Sequence, residues 1–287
     1  MDCYDARVVP QLGLSTRLLR DVLLDAPHLT RIARHGFTSV ALEAVRTHLD
    51  YSDPSVARTL ASSLASAGLT PQAISAPRAE GVRGQAWVAP FSLASDDAAE
   101  RDHALGEIRL ALAMAATLTC PALIVHLERP GGGGDGAPES LASVRRSLDA
   151  LMREAEEARV GLALHSGRSP QARPEALVRL IERDLDGSPI GIALDYGQAH
   201  LAGDVADAIE TAGEFMTVAL LSDNRGRKDE RLVPGAGSIN WDAAMMTTQK
   251  VGFSGPALID VDAVDVDAAL RQAAQARERL ASLLIAF

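Results

Sequence analysis

The sequence predicts an α/β chain folded as one (β/α)8 TIM barrel spanning residues 1–287. Three observations carry that expectation. Short apolar or β-branched runs alternate with longer segments of helical periodicity, the pattern of βα units on a parallel sheet. Eight such units fit into 287 residues, near the usual size of this barrel, and no linker-like stretch interrupts them. Hydrophobic residues make up 47% of the chain and aromatics only 3%, so the core must be built from Leu, Ala, Val and Ile, as barrel interiors favour.

The first strand is read at 11–15, within QLGLST, and its helix runs through Ala33. Gly36 stops that helix, as glycine does just past a helix end. The second strand is 37–42. Ser52-Asp53-Pro54 then offers a capping side chain with proline in the first turn, and Gly68 closes the helix. The third strand is 71–76, and RAEGVRGQAWVAPFSLAS after it reads as a long loop. Ser95-Asp96-Asp97 caps a helix to Leu118, with Leu105, Ile108 and Leu112 at helical spacing.

The fourth strand, 121–125, runs into His126. PGGGGDGAP follows. It lacks the Gly-Lys-Ser/Thr ending of a P-loop and the spacing of a dinucleotide fingerprint, so it reads as a flexible active-site loop. A helix from Glu139 to Arg159 precedes the fifth strand, 160–164, which ends at His165. Pro174 opens the next helix. The sixth strand, 190–194, ends at Asp195, and Gly203-Asp204 caps its helix. The seventh strand, 215–221, is followed by Asp223. The eighth, 256–261, contains Asp260, and a last helix from Val266 repeats Leu270, Ala273, Leu280 and Leu284.

The formal net charge of −10 argues against nucleic-acid binding over the whole surface. Cys3 and Cys120 suggest neither a disulfide framework nor a zinc site, and Cys120 reads as a buried inert thiol. The N-terminus MDCYDARVVPQ does not look like a signal peptide, and no apolar run reaches the ~18 residues of a membrane span. A cytoplasmic location is expected.

Residues just past the carboxyl ends of barrel strands line the active site. The organising stretch is therefore 190–241, IGIALDYGQAHLAGD and then MTVALLSDNRGRKDERLVPGAGSINW, where two apolar strands lead into Asp195 and Asp223. LGLST, LDYGQAHLAG and DNRGRKDERLVPGAGSINW together resemble the first strand, the strand-six turn and the strand-seven loop of the xylose isomerase-like barrel superfamily of sugar isomerases, epimerases and endonuclease IV-type enzymes. FSLASDDAAERDHALGEIRLALAMAATLTCPALIVHLE looks like that family's third helix and fourth strand. The resemblance covers nearly the whole chain.

The resemblance implies a divalent cation held by Glu, Asp, His and Glu after strands five to eight. At those positions this chain has His165, Asp195, Leu220 and Asp260. Further family histidines fall on Ser75, Gln198 and Arg231, while His126 is kept. A set with so few oxygens does not suit Mn²⁺ or Mg²⁺ and suits Zn²⁺ better; a divalent metal is not the expectation, no metal ligands are assigned, and the cofactor stays open. The candidate catalytic residues are His126, His165, Asp195 and Asp260. The candidate substrate contacts are Gln198, His200, Lys228, Asp229 and Arg231. His28, His35, His48 and His103 read as surface or structural.

Arginines crowd the expected loops, with Arg78, Arg129, Arg168, Arg225, Arg227 and Arg231 among them. Guanidinium groups fork onto carboxylates and phosphates. The expected partner is a small, sugar-like and anionic molecule, with neither nucleic acid nor membrane involved. The bland alternative pairs these arginines with neighbouring Asp and Glu. Three functions stay open. One is a sugar isomerase or epimerase moving a proton next to a carbonyl, with Arg231 or Lys228 standing in for the cation. Another is a metal-free barrel that binds its ligand without turnover. The third, a phosphodiester-cleaving relative, is disfavoured because most of the histidines it needs are missing and the chain is acidic and aromatic-poor.

Overall fold

A computed structural model describes residues 10–84, 86–130, 139–185 and 189–285. Cys3 and residues 131–138 of the glycine-rich stretch lie outside them. In chain order the elements are β1 Gln11–Ser15, α1 Ala26–Arg34, β2 Ser39–Glu43, α2 Pro54–Ala67, β3 Thr70–Ser75, β4 Ala79–Arg83, β5 Ala86–Pro90, α3 Ala98–Thr117 and β6 Ala122–Val125. There follow α4 Leu141–Ala158, β7 Gly161–His165, α5 Pro174–Asp184, β8 Ile190–Asp195, α6 Tyr196–Ala202, α7 Val205–Ala212, β9 Met216–Leu221, α8 Trp241–Lys250, β10 Pro256–Ile259 and α9 Val266–Ile285.

The strands β1, β2, β3, β6, β7, β8, β9 and β10 close into a barrel in that order, with every neighbouring pair parallel. The predicted (β/α)8 TIM barrel is therefore the observed fold. Parallel closure sends all eight carboxyl ends to one rim, which is what gathers the site. Helix starts follow local chemistry. Asp53 accepts a hydrogen bond from Ser55 N with Pro54 in the first turn, and Gly68 ends α2 in the left-handed region at φ +68°.

Side chains alternate between the two faces of each strand. The outward face packs against the helices through residues such as Leu14, Leu42, Leu123, Leu164 and Leu194. The inward face makes a narrow plug of Ala41, Ala73, Ile124, Ala163, Ala193, Val218, Leu220 and Leu258. Four of these are alanines, so the barrel axis is filled by small groups and the polar residues stand above them at the rim.

Two sequence expectations change. Strands β4 and β5 pair as an antiparallel hairpin, Val82 opposite Trp87 and Arg83 opposite Ala86, where the sequence read as a loop. The alternation in AEGVR and AWVAP carries the strand period, and Gly84 at φ +58° supplies the reversal. After β8 a short helix intervenes: Asp195 caps α6, and Asp204 caps the separate α7. Among the described residues, no helix is long and apolar enough to cross a membrane.

Candidate active site

Each strand end offers one group to the rim. Glu43, Ser75, His165 and Asp195 are the last residues of β2, β3, β7 and β8, and His126 and Asp260 stand one residue beyond β6 and β10. His126 and His165 lie 4.3 Å apart between ring centres. His126 Nε2 is 3.1 Å from Ser75 Oγ, and His165 Nε2 is 3.3 Å from Asp195 Oδ2. Burial, and then the positive charge of Arg78, push His126 well below the usual imidazole range, so its ring is neutral.

Arg231 is the hub. Its Nη2 lies 2.8 Å from Asp195 Oδ2 and its Nε 3.2 Å from Asp229 Oδ2, and its Nη1 donates to Asp260 Oδ2 at 2.6 Å. Gln198 Nε2 donates to the same Asp229 oxygen at 2.7 Å. The Arg231 backbone sits in the left-handed region at φ +47°. A non-glycine residue held there costs on the order of 1 kcal/mol and persists only where its surroundings fix it; three carboxylates on one guanidinium do so. Burial opposes ionisation of Asp195, but Arg231 and then His165 outweigh it and hold the carboxyl well below its ordinary range.

This arrangement does not fit a divalent cation. The guanidinium occupies the space between the two carboxylates, Asp195 and Asp260, that the family pattern would assign to a metal. Leu220 offers no donor and is packed with the barrel plug. Among the described residues, no three His, Cys, Asp or Glu side chains converge as a metal site. The floor between Ser15, Glu43, Ser75, His126, Leu220 and Arg231 narrows to about 10 Å³, room for one water-sized group.

Above the floor the rim opens into a cleft of about 560 Å³. His165, Arg17, Arg78 and Arg231 line both levels. Arg17 Nε donates to Asp262 Oδ1 at 2.8 Å, and Arg20 Nη2 to Asp262 Oδ2 at 3.4 Å. Trp87 projects from the hairpin into the cleft lining. The sequence reading had not singled out Arg17, Arg20, Glu43, Trp87 or Asp262. The signal for Glu43 was the one used for Asp195, an acidic residue closing an apolar strand. Its backbone N donates to Thr16 Oγ1 at 3.0 Å, and Thr16 is held in turn by buried His48.

The structure brings His126, His165, Asp195, Gln198, Asp229, Arg231 and Asp260 into one cluster. His200 and Lys228 stand apart from it. His200 Nε2 is 2.9 Å from Ser238 Oγ, and Lys228 lines a neighbouring surface depression that shares Asp229, Arg231 and Asp262 with the cleft. Asp223 is buried in the β9–α8 loop. It accepts from the backbone N of Asn224 at 2.8 Å, Gly235 at 2.9 Å and Ile239 at 3.2 Å, and from Trp241 Nε1 at 2.9 Å. A Cβ at Gly237 would stand 2.2 Å from Asp223 Oδ1, so only glycine fits there.

A family model described as "Xylose isomerase-like TIM barrel" matches residues 29–283. An uncharacterised protein of Methanocaldococcus jannaschii, MJ1311, is 32% identical over 85 residues, which is 29% of this chain and 29% of that protein. A D-tagatose 3-epimerase-like protein superposes with a TM-score of 0.76 at 21% identity, covering 96% of this chain and 97% of its own. An L-ribulose 3-epimerase superposes with a TM-score of 0.75 at 19% identity, covering 96% and 95%. At such identities these two likenesses speak to the fold.

Proposed function

The chain belongs to the xylose isomerase-like TIM barrel family, and from that premise we propose that it acts on a sugar or sugar derivative as an isomerase or epimerase that uses no metal. The observation that carries the reading is the Arg231 guanidinium, fixed between Asp195 and Asp260 beside His165. A carbonyl-adjacent proton transfer needs a base and a fixed positive charge for the enediolate oxygen. Arg231 and Arg17 supply the charge at the floor of the cleft. In this scheme the His165 proton sits on Nε2, 3.3 Å from Asp195 Oδ2, and Nδ1 acts as the base. The C–H pair moves into the forming C=C bond as the carbonyl electrons move to oxygen. In an isomerisation His165 returns the proton it took to the neighbouring carbon, as the hydroxyl proton there moves to the former carbonyl oxygen. In an inversion a water in the cleft protonates the opposite face, and the hydroxide left takes the proton held by His165. Asp195 and Asp260 hold Arg231, and Asp195 orients His165 in this scheme.

Proton exchange tests it. Ketoses, aldoses and their acids or phosphates incubated with the protein in D₂O should take up deuterium next to the carbonyl, read by NMR. His165→Gln should abolish the uptake, and EDTA should leave it unchanged. Loss of exchange on chelation, with recovery on adding Mn²⁺ or Zn²⁺, would overturn the metal-independent scheme.

One observation favours a second reading, a barrel that binds its sugar without turnover. Asp195 and Asp260 are both committed to Arg231, and the floor admits only a water-sized group. Saturable ligand binding with no deuterium uptake from any substrate class would select it.

A further inference from the structure

Arg78 follows β3 and opens the hairpin that leans over the rim. Its guanidinium carbon stacks 4.7 Å from the Trp87 ring centre, and Arg20 packs on the same indole at 5.6 Å. Arg78 lines both the floor and the open cleft. The other two arginines that do so are committed, Arg17 to Asp262 and Arg231 to three carboxylates. Arg78 makes no ion pair among the described residues, and its buried Nε has no acceptor. Burial first, and then the charge of Arg17, push it down to about 10. It stays protonated near neutrality, and the carboxylates of Glu43 and Glu128 offset its charge only from a distance.

Arg78 is half-buried, and its buried Nε is left short of an acceptor. Its fork of donors matches a carboxylate or a phosphate, whereas a neutral sugar would leave it unpaired. We propose that Arg78, backed by Trp87 and flanked by Arg17, forms an anion subsite, and that the molecule taken by this barrel is a sugar derivative bearing one carboxylate or phosphate group. This names the substrate class for the function proposed above and rests on that reading for its sugar portion. The cleft, at about 560 Å³, suits one small ligand of that kind.

The test is calorimetric titration of the full chain with D-fructose, D-fructose 6-phosphate, D-gluconate and inorganic phosphate, on the unaltered protein, Arg78→Gln and Arg78→Lys. An anionic sugar should bind at least about tenfold tighter than D-fructose, and Arg78→Gln should remove most of that preference. Arg78→Lys should keep only part of it, because a point charge lacks the fork. A preference for fructose 6-phosphate assigns phosphate, and one for gluconate assigns carboxylate. The Tm of Arg78→Gln should stay nearly level, since no ion pair is lost. Equal affinity for neutral and anionic sugars, or a preference that survives Arg78→Gln, would overturn the subsite. So would a large fall in Tm, which would make Arg78 a structural residue. Arg78-dependent anion binding without deuterium exchange would keep the subsite and defeat the isomerase reading. Exchange on neutral sugars alone would do the reverse.

Discussion

Strands β8 and β9 are neighbours, and each leads into a fully buried aspartate, Asp195 and Asp223. In the sequence the two look alike, an apolar run closed by a carboxylate before a polar loop. In space they have different partners. Asp223 meets only fixed donors, three backbone N–H groups and an indole. It is tied into the loop that carries Asp229 and Arg231. Asp195 meets a guanidinium and an imidazole, groups that can respond to a ligand or to a proton. The lesson is that a buried carboxylate is marked as structural or chemical by whether its donors belong to the backbone or to ionisable side chains.

The hardest test of that contrast is Arg231→Met. It strands Asp195, Asp229 and Asp260 without their shared guanidinium and should cost about 3–5 kcal/mol at neutral pH. Urea unfolding reads it, and the deficit should shrink on acidification as the stranded carboxylates protonate. A loss below about 1 kcal/mol would mean the hub is not a unit.

Asp223→Ala should cost somewhat less, about 2–4 kcal/mol, because four donors lose their acceptor but some reach water. Urea unfolding at neutral pH reads it, and a loss below about 1 kcal/mol would mean that the loop does not depend on this carboxylate.

The acid limb tests the Asp195 partnership directly. The Asp195 carboxyl is held below its unfolded range. Its stabilising contribution is therefore present above about pH 4 and is lost as pH falls toward the folded value. Asp195→Asn should flatten part of that decline when unfolding free energies at pH 3 and pH 7 are compared. A parallel decline in both proteins would assign the acid sensitivity elsewhere, with Asp262 the next candidate.

The smallest effect belongs to the outer side of the same loop. Lys228→Ala should change stability by no more than about 0.5 kcal/mol and leave sugar binding unaltered, because Lys228 lines the neighbouring depression and not the cleft itself. Weakened binding would show that the cleft extends across the loop.

Much of the barrel was legible because strand and helix periods are local. Alternation and caps are short-range properties, and Asp53, Gly68 and Asp97 act where the sequence places them. The strand-end positions of His126, His165 and Asp195 were legible for the same reason. The hairpin was missed because glycines and a proline masked its period-2 pattern. Glu43 was missed because its strand ends one residue later than the apolar run suggests.

By itself, then, the sequence determined the barrel, its aliphatic core and the chain positions that reach the rim, since each follows from local periodicity and parallel closure. Only the tertiary structure decided the partnerships at that rim. Arg231 reaches Asp260 across 29 positions and Arg17 reaches Asp262 across 245. Charge pairing depends on distance in space, and no local pattern in the chain encodes which arginine the carboxylates leave unpaired.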